Sequence, residues 1–142
     1  METFAEGDDV AVRCDPGDDL LDAIDRAVAT HDIRDAAVVA GVGTLGTLRV
    51  YYLDAAKLSR PREERDVVVE ESGNWEITSL SGVVADGDPH VHVGAHEGTR
   101  TLGGHLLPGS EVSALAEVVL RRTALSLRRE ADDQDVRRLT TR

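Results

Sequence analysis

The stretch DPHVHVGAHEGTRTLGGHL (residues 88–106) predicts a β-hairpin that carries histidines on both arms. Apolar and polar residues alternate in its first half, which is typical of a half-buried strand. Gly98 lies near the centre, where a tight turn would reverse the chain. Four of the five histidines of the chain lie here, namely His90, His92, His96 and His105. Three explanations are open: a metal site, a catalytic base with helper residues, or a chance cluster on a solvated hairpin.

The spacing of the histidines can be tested by strand parity. His90 and His92 are two residues apart, so on a strand they point to the same face. A two-residue turn at 98–99 pairs position 92 with position 105, and a turn at 97–98 pairs position 90 with position 105. Either turn adds His105 to that face, whereas an odd-length turn without a bulge does not. Opposite Cβ atoms lie about 4.5–5.5 Å apart, so three imidazoles can converge on one zinc ion at about 2.0–2.1 Å.

Three histidine ligands would leave a fourth metal position open to water, substrate or a partner carboxylate. That pattern resembles catalytic more than structural zinc. The alternative is a group of polar residues on an exposed sheet face, without metal. His96 shares the parity but lies nearer the turn, so we expect it to be solvated. Gly103 and Gly104 leave room for a bulge or for close approach of another backbone segment.

One helix is predicted, by the segment CDPGDDLLDAIDRAVATHD (residues 14–32). Asp15 or Asp18 can cap its start, and His31 lies at its C-terminal end, where a partly positive ring suits the helix dipole. One apolar stripe at helical spacing is formed by Leu20, Leu21, Ile24, Ala27 and Val28.

Most of the remaining chain predicts strands separated by Gly, Pro and Asp. The segments are DAAVVAGVG (35–43), TLRVYYLD (47–54), DVVVEES (66–72), NWEITSLSGVV (74–84), PHVHVGA (89–95), TLGGHLLP (101–108) and AEVVLRRT (116–123). SRPREERD (59–66) predicts an exposed, charged loop. One helix with many strands favours an α+β fold with a largely antiparallel sheet. We expect a single domain over residues 1–130 and a polar tail over 131–142.

Known catalytic motifs do not fit this order of elements. GVGTLG (41–46) matches the dinucleotide fingerprint, but a strand-like segment follows it where the phosphate-binding helix should begin. We interpret it as a turn with tight backbone packing. Cys14 is the only cysteine, so no disulfide within the chain can form. Neighbouring carboxylates make Cys14 a poor nucleophile.

The charge composition of the chain predicts the salt conditions in which it works. The net charge is −11, and Lys57 is the only lysine among 16 basic residues. Abundant carboxylates with almost no lysine are typical of a high-salt cytoplasm, where salt screens self-repulsion; an ordinary acidic protein is the alternative. No apolar run approaches the roughly 20 residues of a membrane span. The acidic start METFAEGDDV lacks an apolar signal region, so we expect a cytoplasmic protein without a membrane partner.

Nearly the whole chain resembles the PPC family, a domain shared by plants and prokaryotes. The most specific features are His-x-His followed by Gly-Gly-His-Leu, within PHVHV (89–93) and LGGHLLPGSEV (102–112). EITSLSG (76–82) and AEVVL (116–120) also resemble it, as do GDDLLDAI (17–24) and AGVGTLGTLRVYY (40–52).

The resemblance implies a compact α+β domain, a homotrimer and, in prokaryotic members, zinc on the histidines that match His90, His92 and His105. Plant members contact transcription factors through a Gly-Arg-Phe-Glu-Ile-Leu segment. Here the segment reads GNWEIT (73–78), with three departures, so the same kind of partner is not implied. We expect Trp75 in the core or in a trimer interface.

Family members are often called DNA-binding, yet this chain has no Arg-Gly-Arg-Pro hook, and its arginines are mixed with acids. Phosphate contacts need a basic face. The leading hypothesis is therefore a non-enzymatic, trimeric regulatory or assembly module with a three-histidine zinc-type site and protein partners. A direct DNA-binding regulator is the alternative. A metal-dependent enzyme is the second alternative, with Glu76 or Glu117 as general base.

Overall fold

Nine strands and two helices are present in the computed structural model, which describes residues 1–142. The strands are β1 (Glu2–Glu6), β2 (Asp9–Cys14), β3 (Ala36–Leu53), β4 (Asp66–Ala85), β5 (Asp88–Glu97), β6 (Arg100–Leu106), β7 (Val112–Arg122), β8 (Leu127–Ala131) and β9 (Arg137–Thr141). The helices are α1 (Leu20–Thr30) and the single-turn α2 (Arg62–Arg65), with a 3₁₀ turn at Ala55–Lys57. Seven strands form one antiparallel sheet in the order β1-β2-β7-β3-β4-β5-β6, and β8 and β9 form a separate hairpin. The expected α+β class with a largely antiparallel sheet is confirmed.

Helix α1 begins later than predicted. Its N-cap is Asp19, whose carboxylate accepts a hydrogen bond from the Asp22 N–H at 2.9 Å. The proposed caps were wrong, because Asp18 instead accepts the backbone N–H of Asp15 in the turn before the helix. His31 is the C-cap residue, as expected. Neither helix combines the length and the apolar content that crossing a membrane requires.

Two long strands replace four predicted short ones. Segments 35–43 and 47–54 merge into the 18-residue β3, and segments 66–72 and 74–84 merge into the 20-residue β4. The GVGTLG motif therefore lies within a strand and not in a turn. Gly43 has a φ of 146°, and a Cβ there would lie 2.4 Å from the Leu115 carbonyl oxygen. Close packing of β3 on β7 thus accounts for this glycine, as the tight-packing interpretation expected.

The sheet closes on itself at one end. Strand β6 pairs with β5 and also with the end of β3, through Val50–Leu106 and Tyr51–His105. Closure removes an exposed sheet edge and brings the second arm of the histidine hairpin against β3. The core lies between α1 and the sheet and contains the fully buried Trp75. The strands β1 and β2, which were not predicted from the sequence, extend the opposite edge of the sheet.

Residues expected to form an exposed loop and a polar tail are folded. The loop SRPREERD contains α2, and its Arg65 is buried. The segment 131–142 contributes β9, which pairs antiparallel with β8. Arg65 donates hydrogen bonds to the backbone carbonyls of Gln134 and Asp135, which links α2 to this hairpin. Contacts between residues about 70 positions apart therefore order both segments, which local charge patterning does not reveal.

Candidate metal centre

Strand register brings His92 and His105 directly opposite each other. Glu97 pairs with Arg100, so the turn residues are Gly98 and Thr99, and His92 pairs with His105. This is the first of the two turns allowed by the parity argument. His90 lies two residues before His92 on β5 and therefore on the same face.

The three imidazoles form a compact cluster. One ligand nitrogen from each of His90, His92 and His105 lies within 4.8 Å of the others. The Nε2 atoms of His90 and His92 are 3.2 Å apart, and their rings stack with centroids 5.2 Å apart. The His105 ring meets both at a steep angle, with centroids 4.6 Å from His90 and 5.5 Å from His92. A group of this geometry could hold a metal ion.

Burial favours the neutral form of His105. Desolvation, reinforced by the charges of His90, His92 and Arg129, lowers the pKa of His105 to about 4. Burial, with Arg129, also lowers the pKa of His90. The Nδ1 atom of His105 is buried and has no hydrogen-bond partner. A buried nitrogen without a partner carries a desolvation cost, and metal ligation would offset it. Neutral imidazole is also the form that binds metals, so the residues fit a transition-metal ion.

Glycine lets the backbone of β6 approach β3. A Cβ on Gly104 would lie 2.6 Å from the Tyr51 carbonyl oxygen, so any side chain would push the strands apart. The close approach brings the rings of Tyr51 and His105 to a centroid distance of 4.4 Å. Strand pairing runs through this region without a register shift. Of the two roles considered for the Gly-Gly pair, the structure shows close backbone approach and no bulge.

A cavity of about 680 Å³ opens beside the histidines, within the size range of small-molecule sites. Arg129 is nearly buried in its wall, and it donates to the carbonyl oxygens of Asp88 and Val83 at 2.7 and 2.6 Å. Asp88 and Arg129 were not predicted as site residues from the sequence. Asp88 could have been found, because it directly precedes the PHVHV segment in the sequence. Arg129 could not, because no sequence pattern places it near His90.

The two candidate general bases lie elsewhere. Neither Glu76 nor Glu117 lines the histidine cavity. Glu76 accepts a hydrogen bond from the Thr44 hydroxyl at 2.9 Å, and Glu117 pairs with β2 and β3 through Arg13 and Val42. A general base must come within hydrogen-bond reach of the reacting group, directly or through one water. The structure therefore does not bring either glutamate to the cluster.

The other singled-out residues lie outside the cluster too. His96 occupies the turn end of β5, where its Nδ1 lies 3.3 Å from the Gly98 carbonyl oxygen. Cys14 is buried, and burial with the nearby Asp18 raises its pKa to about 11. A thiol with this pKa is protonated at neutral pH and is a weak nucleophile, which agrees with the expectation from sequence.

Comparison with models of protein families identifies the family to which this chain belongs. The model of the Plants and Prokaryotes Conserved (PCC) domain matches residues 1–124, which include all three histidines. The chain belongs to the PCC domain family. This is the family that the His-x-His and Gly-Gly-His segments resembled, so that prediction is confirmed.

Solved structures agree with the PCC fold. A metal-containing protein of Archaeoglobus fulgidus is 27% identical, with a TM-score of 0.75 and coverage of 93% of this chain and 91% of that one. A plant- and prokaryote-conserved protein of Pyrococcus horikoshii is 25% identical, with a TM-score of 0.74 and coverage of 96% and 94%. A Bacteroides thetaiotaomicron protein provisionally described as DNA-binding is 16% identical, with a TM-score of 0.83 and coverage of 98% and 96%, which shows the fold alone.

A curated protein also contains a related segment. The bifunctional protein GlmU of Synechococcus sp. (strain JA-3-3Ab) is 29% identical over 106 residues. The match covers 74% of this chain but only 16% of GlmU. The likeness is therefore to a small part of a much longer protein.

Proposed function

We propose that this PCC domain is a non-enzymatic regulatory or assembly module, a homotrimer that holds one zinc ion per subunit on His90, His92 and His105. The observation that carries the proposal is the convergence of one imidazole nitrogen from each of three histidines within 4.8 Å. The buried Nδ1 of His105, which has no hydrogen-bond partner, also supports it. The metal-containing A. fulgidus relative supports it. A bound zinc would supply a Lewis acid with one open position, and the histidines would hold it on two adjacent strands.

Exposed apolar residues support self-association. Val42 on β3 and Leu115 on β7 are 54% and 47% exposed, and β3 and β7 are neighbouring strands. Phe4 on the edge strand β1 is also exposed. Edge strands and exposed apolar residues are surfaces that subunit contacts commonly cover. The number three comes from the family resemblance and not from this surface.

Mass and metal content of one preparation test the proposal together. In high-salt buffer, light scattering should give three times 15.3 kDa, and elemental analysis should give one zinc per chain. High salt is required because a net charge of −11 per chain favours dissociation when unscreened. A monomer mass at micromolar concentration would contradict the trimer. A metal-free protein purified in the presence of zinc would contradict the metal site.

A direct DNA-binding regulator is the second candidate, and the provisional description of the B. thetaiotaomicron neighbour favours it. The charge of this chain opposes it. A trimer would carry three times the net charge of −11 of one chain. It would therefore repel a DNA duplex, which is a polyanion. Several arginines on the β8–β9 hairpin, such as Arg128 and Arg138, are already engaged by Glu130 and Asp132.

We accordingly expect duplex DNA to bind weakly, with a dissociation constant no tighter than the roughly 1–100 μM of non-specific contacts. Fluorescence anisotropy of a labelled duplex at several salt concentrations measures this. Sub-micromolar binding that weakens with salt would put the DNA-binding function first. Its loss in an Arg128→Gln, Arg138→Gln double variant would assign the contact to the hairpin.

A metal-dependent enzyme is the third candidate and receives the least support. The open metal position is compatible with it, but both glutamates proposed as general base lie away from the cavity. The carboxylates that do line the cavity, those of Asp66, Asp88 and Asp135, each lie within 4 Å of an arginine nitrogen. The hydrogen bond from Arg62 lowers the pKa of Asp135, which makes that carboxylate a weaker base.

A further inference from the structure

The β8–β9 hairpin forms one side of the histidine cavity. It begins at Leu127, beyond residue 124 where the PCC family match ends. Arg129 of β8 is nearly buried and is fixed on β4 and β5 by the carbonyl oxygens of Val83 and Asp88. The hairpin thus adds to the metal centre a wall that the family match does not include.

The cavity has the opposite charge balance to the chain. Its lining includes four arginines and three aspartates, although the whole chain carries 27 acidic and 16 basic residues. The lining arginines are Arg62, Arg65, Arg129 and Arg137. A divalent ion on the three histidines would raise the local positive charge further. Concentrated positive charge in a concave site attracts anions and raises their local concentration.

Arg137 is the arginine best placed to meet a ligand. Arg65 and Arg129 are buried and donate to backbone carbonyls. Arg62 donates to both the carboxylate and the backbone carbonyl of Asp135. Arg137 is 49% exposed, and its ion-pair contact is a single nitrogen 3.0 Å from an Asp88 carboxylate oxygen. Together with His90 and His92 it lines both the large cavity and a neighbouring one of about 330 Å³. Its remaining N–H groups can form a charge-assisted hydrogen bond with an oxyanion.

Apolar side chains complete the cavity. Tyr51, Pro89, Leu107 and Val136 line it beside the charged groups. Burial, with Asp66 nearby, raises the pKa of Tyr51, so its hydroxyl is a neutral hydrogen-bond donor at neutral pH. Apolar walls with a few convergent polar groups are typical of sites for small organic ligands.

We propose that the cavity binds a small organic molecule through its carboxylate or phosphate group, which lies between the metal on the three histidines and the guanidinium of Arg137. The inference rests on the proposed metal site and adds the ligand class to it. Arg129 contributes charge and fixes the hairpin, and Arg137 contributes the direct contact.

Visible absorption of bound Co²⁺ can report whether a ligand occupies the open metal position. Co²⁺ replaces zinc in many tetrahedral sites, and its visible absorption depends on the ligands around it. Co²⁺-loaded protein is titrated with phosphate, succinate and acetate at constant ionic strength. We expect phosphate or succinate to shift the spectrum at lower concentration than acetate, since acetate has one charge and a smaller body. Tighter binding of phosphate indicates a phosphate-bearing ligand, and tighter binding of succinate a carboxylate-bearing one.

Two arginines of the same hairpin provide matched variants. Arg137→Gln should weaken oxyanion binding about tenfold, the usual effect of losing one charge-assisted hydrogen bond, while Co²⁺ affinity stays unchanged. Arg128→Gln should alter neither, because Arg128 is also 49% exposed and ion-paired but lies outside both cavities. Absence of any spectral change, or equal affinity in wild type and Arg137→Gln, would overturn the inference and leave the metal site intact. Failure to take up Co²⁺ or zinc at all would overturn the proposed function and the inference with it.

Discussion

Replacement of His92 by alanine is expected to lower zinc affinity by more than the roughly 10–100-fold that follows loss of a residue supporting a metal ligand. His92 is one of three nitrogen donors in a site with an open fourth position, so the variant would retain only two protein ligands. Because His92 is exposed, its removal should not disturb the core.

His96→Ala is the matched control. His96 lies four residues further along β5, on the same face of the strand, and outside the three-histidine group. Competition with a chromogenic chelator gives the affinities, and thermal unfolding gives a second readout because a ligand that binds only the folded state raises its stability. Zinc should therefore raise the melting temperature of wild type and His96→Ala but not of His92→Ala. Equal affinity in wild type and His92→Ala would refute the three-histidine site.

The cluster could be predicted from sequence because its geometry is local. Parity along β5 and a two-residue turn relate His90, His92 and His105 across only 16 residues, and the strand register agrees with that argument. The same local reasoning set aside GVGTLG as a nucleotide site, since no helix follows it. Period-2 alternation and turn composition act over short distances, which is why they can be read without a structure.

The surroundings of the cluster depend on contacts that sequence spacing does not encode. Tyr51 contacts His105 because the sheet closes between β3 and β6. Arg129 donates a hydrogen bond to Asp88, which lies 41 positions earlier in the sequence. The same limit affected the segment 131–142, whose mixed charges were interpreted as a solvated tail. Three of those charged residues, Asp135, Arg137 and Arg142, form ion pairs with Arg62, Asp88 and Asp35 outside the hairpin. Only the folded chain brings these partners together.

One of these attachments joins the base of the hairpin to the body of the domain. Asp35 is only 6% exposed. Its carboxylate accepts hydrogen bonds from the guanidinium of Arg142 at 2.6 Å and from the backbone N–H of Leu127 at 3.1 Å. Asp35→Ala should lower the free energy of unfolding by about 3 kcal/mol, because removing one partner of a buried pair leaves the other without compensation. Glu130→Ala, which removes an exposed pair with Arg128 in the same hairpin, should cost no more than about 1 kcal/mol. Denaturant titration in high salt measures both.

The pH dependence separates an ion pair from simple packing. Burial alone would raise the pKa of Asp35, but hydrogen bonds from Arg142 and from the backbone N–H groups of Asp86 and Leu127 outweigh it and lower that pKa. A lowered folded-state pKa stabilises the protein above the unfolded value of about 3.9, and this stabilisation is lost as the pH falls through the folded-state pKa. The difference between wild type and Asp35→Ala should therefore be constant near neutrality and shrink below about pH 4. A difference that persists unchanged at pH 3 would mean that Asp35 acts through shape and neutral hydrogen bonds, and that charge does not attach the hairpin that carries Arg129 and Arg137.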